Sequence, residues 1–348
     1  MRAFQYEDLA EKTWDSEILS LVAGIRECKG RQEMFPIQKP AVLNKLVEIA
    51  RIQSTEASNK IEGIVTTSTR IRQLCAETTM PRNRDEEEIS GYRDALNAIH
   101  ESYEYIPITP NYILQLHGML YHYSGRGIGG RFKSVQNYIN ETRTDGSSFT
   151  RFTPLAPYET SEAIEAICKS YSKTIDDGIV DPLLLIPVFI SEFLCIHPFN
   201  DGNGRMSRLL TTLLLYRSGF VVGRYISLEA KIEKNKDVYY DVLQVASEGW
   251  HDGTNDPAGF IKYLLSIILS AYRDFEERVI LVDEKLPAIE QVRQAVKKKI
   301  GKFTKSEIME LCPGIGKTSV ENSLKTLVEE EFITLHGRGK ATFYTRND

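Results

Sequence analysis

Cys195-Ile196-His197-Pro198-Phe199-Asn200-Asp201-Gly202-Asn203-Gly204-Arg205-Met206-Ser207-Arg208 is the stretch on which the fold of this chain turns. Before it, Leu183 to Leu194 is apolar almost all round, as a helix buried in a core is. After it, Leu209, Leu210, Leu213 and Leu214 continue a second apolar helix. Pro198 cannot extend the first helix, and it biases His197 out of the helical region. The spacing therefore predicts a polar loop held between two core helices, where a site has rigid support.

Each residue type in the loop has a use if the ligand is a nucleotide. Gly202-Asn203-Gly204 can turn with positive φ and gather successive N–H groups into one concavity. The helix that starts there adds free amides, those of Arg205 and Met206 included, and the positive end of its dipole. Arg205 and Arg208 are three apart, so both are expected at the mouth of that site, gripping phosphate oxygens. Asp201 beside the nest is a candidate Mg²⁺ ligand, since one carboxylate plus phosphate oxygens and water is a usual shell for that ion. His197 carries the side chain suited to taking a proton near neutrality. The plainer alternative is a polar helix–helix connection with an ordinary turn and two solvated arginines. The coincidence of all these parts between two buried helices favours the site.

His197 to Arg208 fits, without a departure, the signature His-Pro-Phe-x-Asp-Gly-Asn-Gly-Arg-x-x-Arg of the Fic family. The chain thus resembles enzymes that move AMP from ATP to a hydroxyl of a target protein. The resemblance implies a mainly α fold: a Fic-type helical core with a β-hairpin flap beside the active site. Ser58-Asn59-Lys60-Ile61-Glu62-Gly63 resembles the family's inhibitory motif Ser/Thr-x-x-x-Glu-Gly/Asn, in which the glutamate pairs with the second signature arginine, here Arg208. Ser58 and Glu62 are accordingly regulatory candidates. Without the signature nearby they would read as a solvated face. Tyr239 and Tyr240 match an aromatic pair that lines the family's adenine pocket, their alternative being ordinary core packing. The residue contacting adenine near Ser247 stays open.

Composition sets the frame. Forty-three basic against forty-eight acidic residues give a net charge of −5, so the whole chain is not a basic nucleic-acid binder. Cys28, Cys75, Cys168, Cys195 and Cys312 are odd in number, scattered and never in a CxxC, which suits reduced buried thiols. The first residues are polar and acidic, unlike a signal peptide, and no apolar run reaches the roughly 18–20 residues of a membrane span. The expectation is a cytoplasmic protein with no membrane partner.

Three regions are expected. Residues 1–80 form a helical N-terminal region, where Val42, Leu43, Leu46, Val47, Ile49, Ala50 and Ile52 recur at helical spacing and Gly63 is placed as a C′ cap. Residues 81–275 form the catalytic core. Within it, Gly125 to Gly130 satisfies GxGxxG but follows a helix instead of a strand, so it reads as a flexible connector. Arg131 to Ile139 and Ser147 to Thr153 flank the turn signal Asp145-Gly146 and predict the hairpin. Its exposed edge, within 131–153, is the expected dock for an extended target segment. Residues 285–348 resemble a winged helix-turn-helix, with a wing tip at Gly337-Arg338-Gly339-Lys340. Lys285 to Asp348 holds twelve basic and eight acidic residues, and its second helix carries Glu321 and Glu329, so DNA binding is expected to be weak or absent.

The sequence thus supports a protein adenylyltransferase that uses ATP and Mg²⁺ and is restrained by Glu62. Two rivals stand beside it: a winged-helix DNA-binding regulator with a Fic sensor core, and a hydrolase removing AMP at the same site. A homo-oligomer is compatible with either.

Overall fold

The computed structural model describes residues 4–32, 40–142, 148–283, 287–312, 315–337 and 339–347. From the N-terminus it runs through α1 (Ser16–Gln32), α2 (Pro40–Ile61), α3 (Ser68–Cys75), α4 (Arg84–Ser102) and α5 (Pro110–Leu120). Strands β1 (Ile139–Thr142) and β2 (Ser148–Phe152) follow, then α6 (Pro157–Asp177), α7 (Pro182–Ile196) and α8 (Asn203–Arg217). Helices α9 (Leu228–Lys234), α10 (Lys236–Ser247) and α11 (Ala258–Asp283) complete the larger part of the chain.

The apolar runs that bracket the signature become α7 and α8, and they form the centre. Leu183 to Phe193 and Arg205 to Tyr216 are buried throughout. A helix buried on all faces needs neighbours on all faces. Helices α6 and α11 pack on α7, α4 packs on α8, and α5 and α2 pack on α4. Asp181 caps α7 by accepting the Leu183 N–H at 2.9 Å, and Pro182 opens its first turn, where no amide is needed. Tyr6, Ile18, Ile25, Leu43, Leu46 and Ile61 belong to the same hydrophobic cluster as Phe193 and Leu209, so α1 and α2 share the core of α7 and α8.

Two glycines are required by geometry, Gly91 by a close approach and Gly63 by its backbone conformation. A Cβ on Gly91 of α4 would stand 2.1 Å from the Leu120 carbonyl oxygen, so any side chain there would push α5 away from the loop it supports. Gly63, with φ +79°, ends α2 in the manner expected. The Ile64 N–H reaches the Asn59 carbonyl and the Gly63 N–H the Lys60 carbonyl, both at 3.0 Å. This Schellman arrangement leaves Glu62 as the cap residue, projecting from a rigid end.

The hairpin is antiparallel, with Asn140 opposite Thr150 and Glu141 opposite Phe149, and an irregularity between Ile139 and Asn140. Its first strand is shorter than expected: residues 131–138 are not strand. Their β-prone composition is overridden because their polar groups bond the signature loop, as when Lys133 N–H donates to the Pro198 carbonyl at 2.8 Å. The Asp145-Gly146 turn signal lies outside the described residues.

After α11 come α12 (Ala288–Lys297), β3 (Lys302–Phe303), α13 (Lys305–Leu311), α14 (Lys317–Glu329), β4 (Ile333–His336) and β5 (Phe343–Arg346). The strands form one antiparallel sheet in the order β3-β5-β4. Val292, Val296, Phe303, Ile308, Leu324 and Leu327 build a hydrophobic cluster of their own. Thr304 and Glu307 close a capping box on α13. Strand β3 was not legible in the sequence, being too short for a period. No helix among the described residues is long and apolar enough to cross a membrane. The five cysteines are buried, and none is in a disulfide.

Candidate active site

The loop between α7 and α8 is built to present an imidazole. His197 ends α7 in the left-handed region, φ +53° and ψ +62°, with its N–H on the Phe193 carbonyl at 2.9 Å. For a residue with a Cβ that conformation costs roughly 1–2 kcal/mol, so the surroundings must enforce it. Pro198 excludes a further helical turn. Asn203 closes the loop, its Oδ1 accepting the Phe199 N–H at 2.9 Å and its Nδ2 donating to the Phe199 carbonyl at 2.7 Å. Phe199 in turn lies stacked on His117 of α5, with ring centroids 3.7 Å apart. His117 takes the Gly130 N–H on Nδ1 at 3.0 Å, so its Nε2 donates to the Asp201 carbonyl at 3.1 Å. The end of GxGxxG, at Gly129 and Gly130, therefore lies against α5, while Gly125 to Gly127 are exposed, as a connector is.

His197 Nδ1 lies 3.3 Å from the Leu194 carbonyl. Because that oxygen only accepts, Nδ1 carries the proton and the Nε2 lone pair is left to face the pocket. Burial pushes His197 down to about 4, assisted by the charge of Lys133. Burial likewise lowers His117 and His100 to about 4. All three are neutral at pH 7, and the unfolded chain binds protons before the folded one as pH falls. Stability is accordingly expected to drop between about pH 6.5 and pH 4, by up to about 1.4 kcal/mol per pH unit for each histidine. Urea unfolding at constant ionic strength measures this; an unchanged midpoint between pH 7 and pH 5 would contradict it.

The N-terminus of α8 departs in part from expectation. Only Gly202, at φ +85°, has positive φ; Asn203 and Gly204 are already helical. The Gly202 carbonyl accepts the Met206 N–H at 2.9 Å, so Met206 offers no free amide, and its side chain is core. The free amides of the first turn are those of Asn203, Gly204 and Arg205, which lie too early to have a helical acceptor.

What stands over them is Glu62. A Cβ on Gly204 would lie 2.3 Å from Glu62 Oε1, so the carboxylate rests directly on the helix start. That oxygen also accepts from Arg208 Nη2 at 2.8 Å. The contact is a single bond and not the bidentate pair that two facing forks would form. The guanidinium is held instead by Ser58, whose Oγ accepts from Nε at 2.8 Å and whose carbonyl accepts from Nη2 at 2.9 Å. Arg208 Nη1 is buried with no hydrogen-bond partner among the described residues, a donor left over beside the start of α8.

Arg205 does not reach the pocket mouth. Its Nη2 lies 2.7 Å from Glu88 Oε2 and donates to Tyr121 Oη at 2.8 Å, with the side chain 1% exposed. A buried carboxylate on α4 leaves that guanidinium no better partner, since an unpaired buried charge is far costlier. Asp201 faces arginines: Arg126 Nη1 at 3.0 Å, and Arg84 and Arg205 Nη2 each at 3.7 Å. Burial works against its charge, but the bond from Arg126 and the charge of Arg205 hold its carboxyl below the ordinary range. Among the described residues no three His, Cys, Asp or Glu side chains gather as a metal cluster. Asp201 suits Mg²⁺ only as one carboxylate whose shell phosphate oxygens and water complete.

One pocket collects the rest. Glu62, His197, Gly204 and Arg208 line it, with Tyr239 and Tyr240 of α10, 5.3 Å apart, along one wall. It holds about 690 Å³ of space between atoms, open solvent included. Arg151 and Phe152 of β2, together with Ser191 and Leu194 of α7, also line it and were not singled out in the sequence. Their only signal was membership of an expected strand and an expected core helix. Glu88, His117 and Lys133 were missed for the same reason: a lone polar residue on an amphipathic element has no pattern.

Residues 107–215 match the model of the Fic/DOC family, so the chain carries a Fic/DOC domain. It is 25% identical over 228 residues to the protein adenylyltransferase Fic of Nematostella vectensis, covering 63% of this chain and 49% of that one. Protein adenylyltransferase fic-1 of Caenorhabditis elegans is 28% identical over 186 residues, covering 52% of this chain and 32% of that one. The chain thus spans about half or less of the length of these relatives. In fold it is similar to a Fic family protein from Desulfovibrio desulfuricans G20, with TM-score 0.62 at 23% identity over 97% of both chains. It is also similar to residues 134–508 of Fic-1 from Caenorhabditis elegans, with TM-score 0.60 at 20% identity over 74% of this chain and 72% of that one.

Proposed function

We propose, from the premise that residues 107–215 form a Fic/DOC domain, that this protein transfers AMP from ATP to a hydroxyl side chain of a target protein, itself included. The observation that carries the reading is convergence: His197, the start of α8, Arg208 and a tyrosine pair line one pocket. The free amides at Asn203 to Arg205 and the guanidinium of Arg208 bind phosphate oxygens, while Tyr239 and Tyr240 receive the base. The target's hydroxyl oxygen forms a bond to the α-phosphorus, the α–β phosphoanhydride bond breaks, and pyrophosphate leaves. His197 Nε2 takes the hydroxyl proton. Mg²⁺, held by Asp201 with phosphate oxygens and water, would offset the charge of the leaving group. Catalysis is then mostly positioning and charge stabilisation. Incubation with ATP labelled at the α- or the γ-phosphate tests this: label must enter protein from the α position alone. Incorporation from the γ position would replace the reading with a kinase.

Glu62 acts as a lock in this reading, since its carboxylate occupies the anion site that a nucleotide's phosphates need. The edge of the β1–β2 hairpin docks an extended segment of the target by main-chain pairing and brings its hydroxyl to His197. Arg126, 40% exposed, holds Asp201 and competes with the metal. Arg126→Ala is expected to lower the Mg²⁺ concentration needed for half-maximal transfer by up to about fivefold, the worth of an exposed ion pair. Asp201→Asn is expected to raise that requirement, and unchanged metal dependence in both variants would remove Asp201 from the metal shell.

Residues 285–348 are read as a winged helix-turn-helix whose second helix, α14, carries Glu321 and Glu329. It binds DNA weakly or not at all. A tight, sequence-selective shift at physiological salt, weakening steeply with added salt, would instead favour a DNA-binding regulator.

A further inference from the structure

The loop that carries His197 exposes a row of carbonyls to the protein interior. Ile196 and Phe199 are fully buried and Pro198 nearly so, so each carbonyl needs a donor from the protein. Besides Asn203, which donates to the Phe199 carbonyl from within the loop, two residues of one short segment supply donors. Lys133 Nζ donates to the Ile196 carbonyl at 3.0 Å, and the Lys133 N–H donates to the Pro198 carbonyl at 2.8 Å. Asn137 Nδ2 donates to the Phe199 carbonyl at 2.9 Å and lies 3.5 Å from that of His197. Lys133 Nζ also donates to Asn137 Oδ1 at 3.1 Å, which fixes which way the amide points. The residue held in the left-handed region is thus bracketed by carbonyl contacts at 196, 198 and 199.

The charge on this clamp is itself unusual. Lys133 is 3% exposed, and among the described residues its ammonium is within bonding distance of neutral oxygens only. Burial pushes it down to about 8, with Glu159 of α6 the carboxylate that acts on it. A buried ammonium without a close carboxylate weakens a fold, which argues for a local task. The same segment roots the hairpin, because Gln136 Nε2 donates to the Pro154 carbonyl at 3.0 Å just beyond β2.

We infer that Lys133 and Asn137 are positioning residues: they hold the strained backbone at His197 and tie the root of the hairpin to the catalytic loop. The assignment rests on His197 being the base of the proposed transfer, but its geometry does not. The charged groups facing His197 are Glu62 from α2, Arg208 from α8, Arg151 from β2 and Lys133 itself. Of these, Glu62 favours the imidazolium and Lys133 opposes it.

Lys133→Met keeps the length of the side chain and removes its charge and donors; Asn137→Leu removes the amide alone. The imidazole of His197, assigned by its loss in His197→Gln, is titrated by NMR in each variant. In Lys133→Met its pKa is expected to rise from about 4 but to stay below the ordinary value of about 6.5, because burial, the larger cause, remains. With Glu62→Gly added to release transfer, both variants are expected to lose about tenfold to hundredfold in kcat with KM for ATP within about twofold. If Lys133→Met fails to fold, Asn137→Leu is read by the same kcat loss. A His197 titration that stays in place in a folded Lys133→Met, or an unchanged kcat in Asn137→Leu, overturns the inference. A shifted titration in a protein that transfers no AMP supports the clamp and overturns the proposed reaction.

Discussion

His197→Ala is expected to reduce AMP transfer by about 10²–10⁴-fold, the worth of a positioned general base, while ATP binding stays within about twofold. The imidazole has the features the step needs. Its Nδ1 is tied to the Leu194 carbonyl, so Nε2 is the basic nitrogen, and burial keeps the ring neutral at pH 7. The groups that would hold ATP lie elsewhere: the start of α8, Arg208 on α8 and the tyrosine pair on α10. Removal of the ring therefore takes away proton transfer and leaves the phosphate site. His197→Asn serves as a control, because asparagine tolerates the left-handed backbone better than alanine does. Label from α-labelled ATP, measured beside nucleotide affinity by fluorescence, separates the two effects. Transfer at the parent rate in both variants would remove His197 from the role of base.

Glu62→Gly is expected to raise transfer, autolabelling included, by well over tenfold. The carboxylate sits on Gly204 and bonds Arg208, and thereby fills the concavity where an anion would meet the free amides. ATP can then enter only with its phosphates displaced, and small misplacements are costly in such chemistry. The substitution leaves the scaffold in place for a definite reason. Glu62 is the cap residue of α2, its side chain is 31% exposed, and the Schellman bonds at Gly63 and Ile64 are main-chain bonds. Ser58 continues to hold Arg208 through Nε and Nη2, so the phosphate ligand stays aimed when the lock is gone. Arg208→Ala should not reproduce the gain, since it removes ligand and lock together. Glu62→Gly combined with His197→Ala should be as silent as His197→Ala. Equal incorporation by the parent and Glu62→Gly would end the inhibitory assignment.

Local pattern made much of this legible. Helix–loop–helix around His197 follows from two apolar runs and one proline, and the rigid end at Gly63 from a glycine that alone accepts positive φ without strain. The pairing of Glu62 with Arg208, 146 residues apart, came from a family resemblance and not from spacing. Expectations failed where two local preferences competed. Met206 sits one residue too deep for a free amide, a distinction that depends on which residue caps α8. Residues 131–138 have strand composition, but their donors found carbonyls of the signature loop instead of a partner strand.

By itself, the sequence determined the helices on either side of the signature, where the loop between them lies and which residues in it can carry charge or a proton. Those properties depend on neighbours within one or two turns. Only the tertiary structure decided where each charge points. Arg205 and Arg208 are three apart on one helix, yet one pairs with Glu88 from α4 and the other with Ser58 and Glu62 from α2. Asp201 meets Arg126 for the same reason. A buried charge takes the partner that the packing of distant segments brings within a few ångströms, and no spacing along the chain encodes that distance.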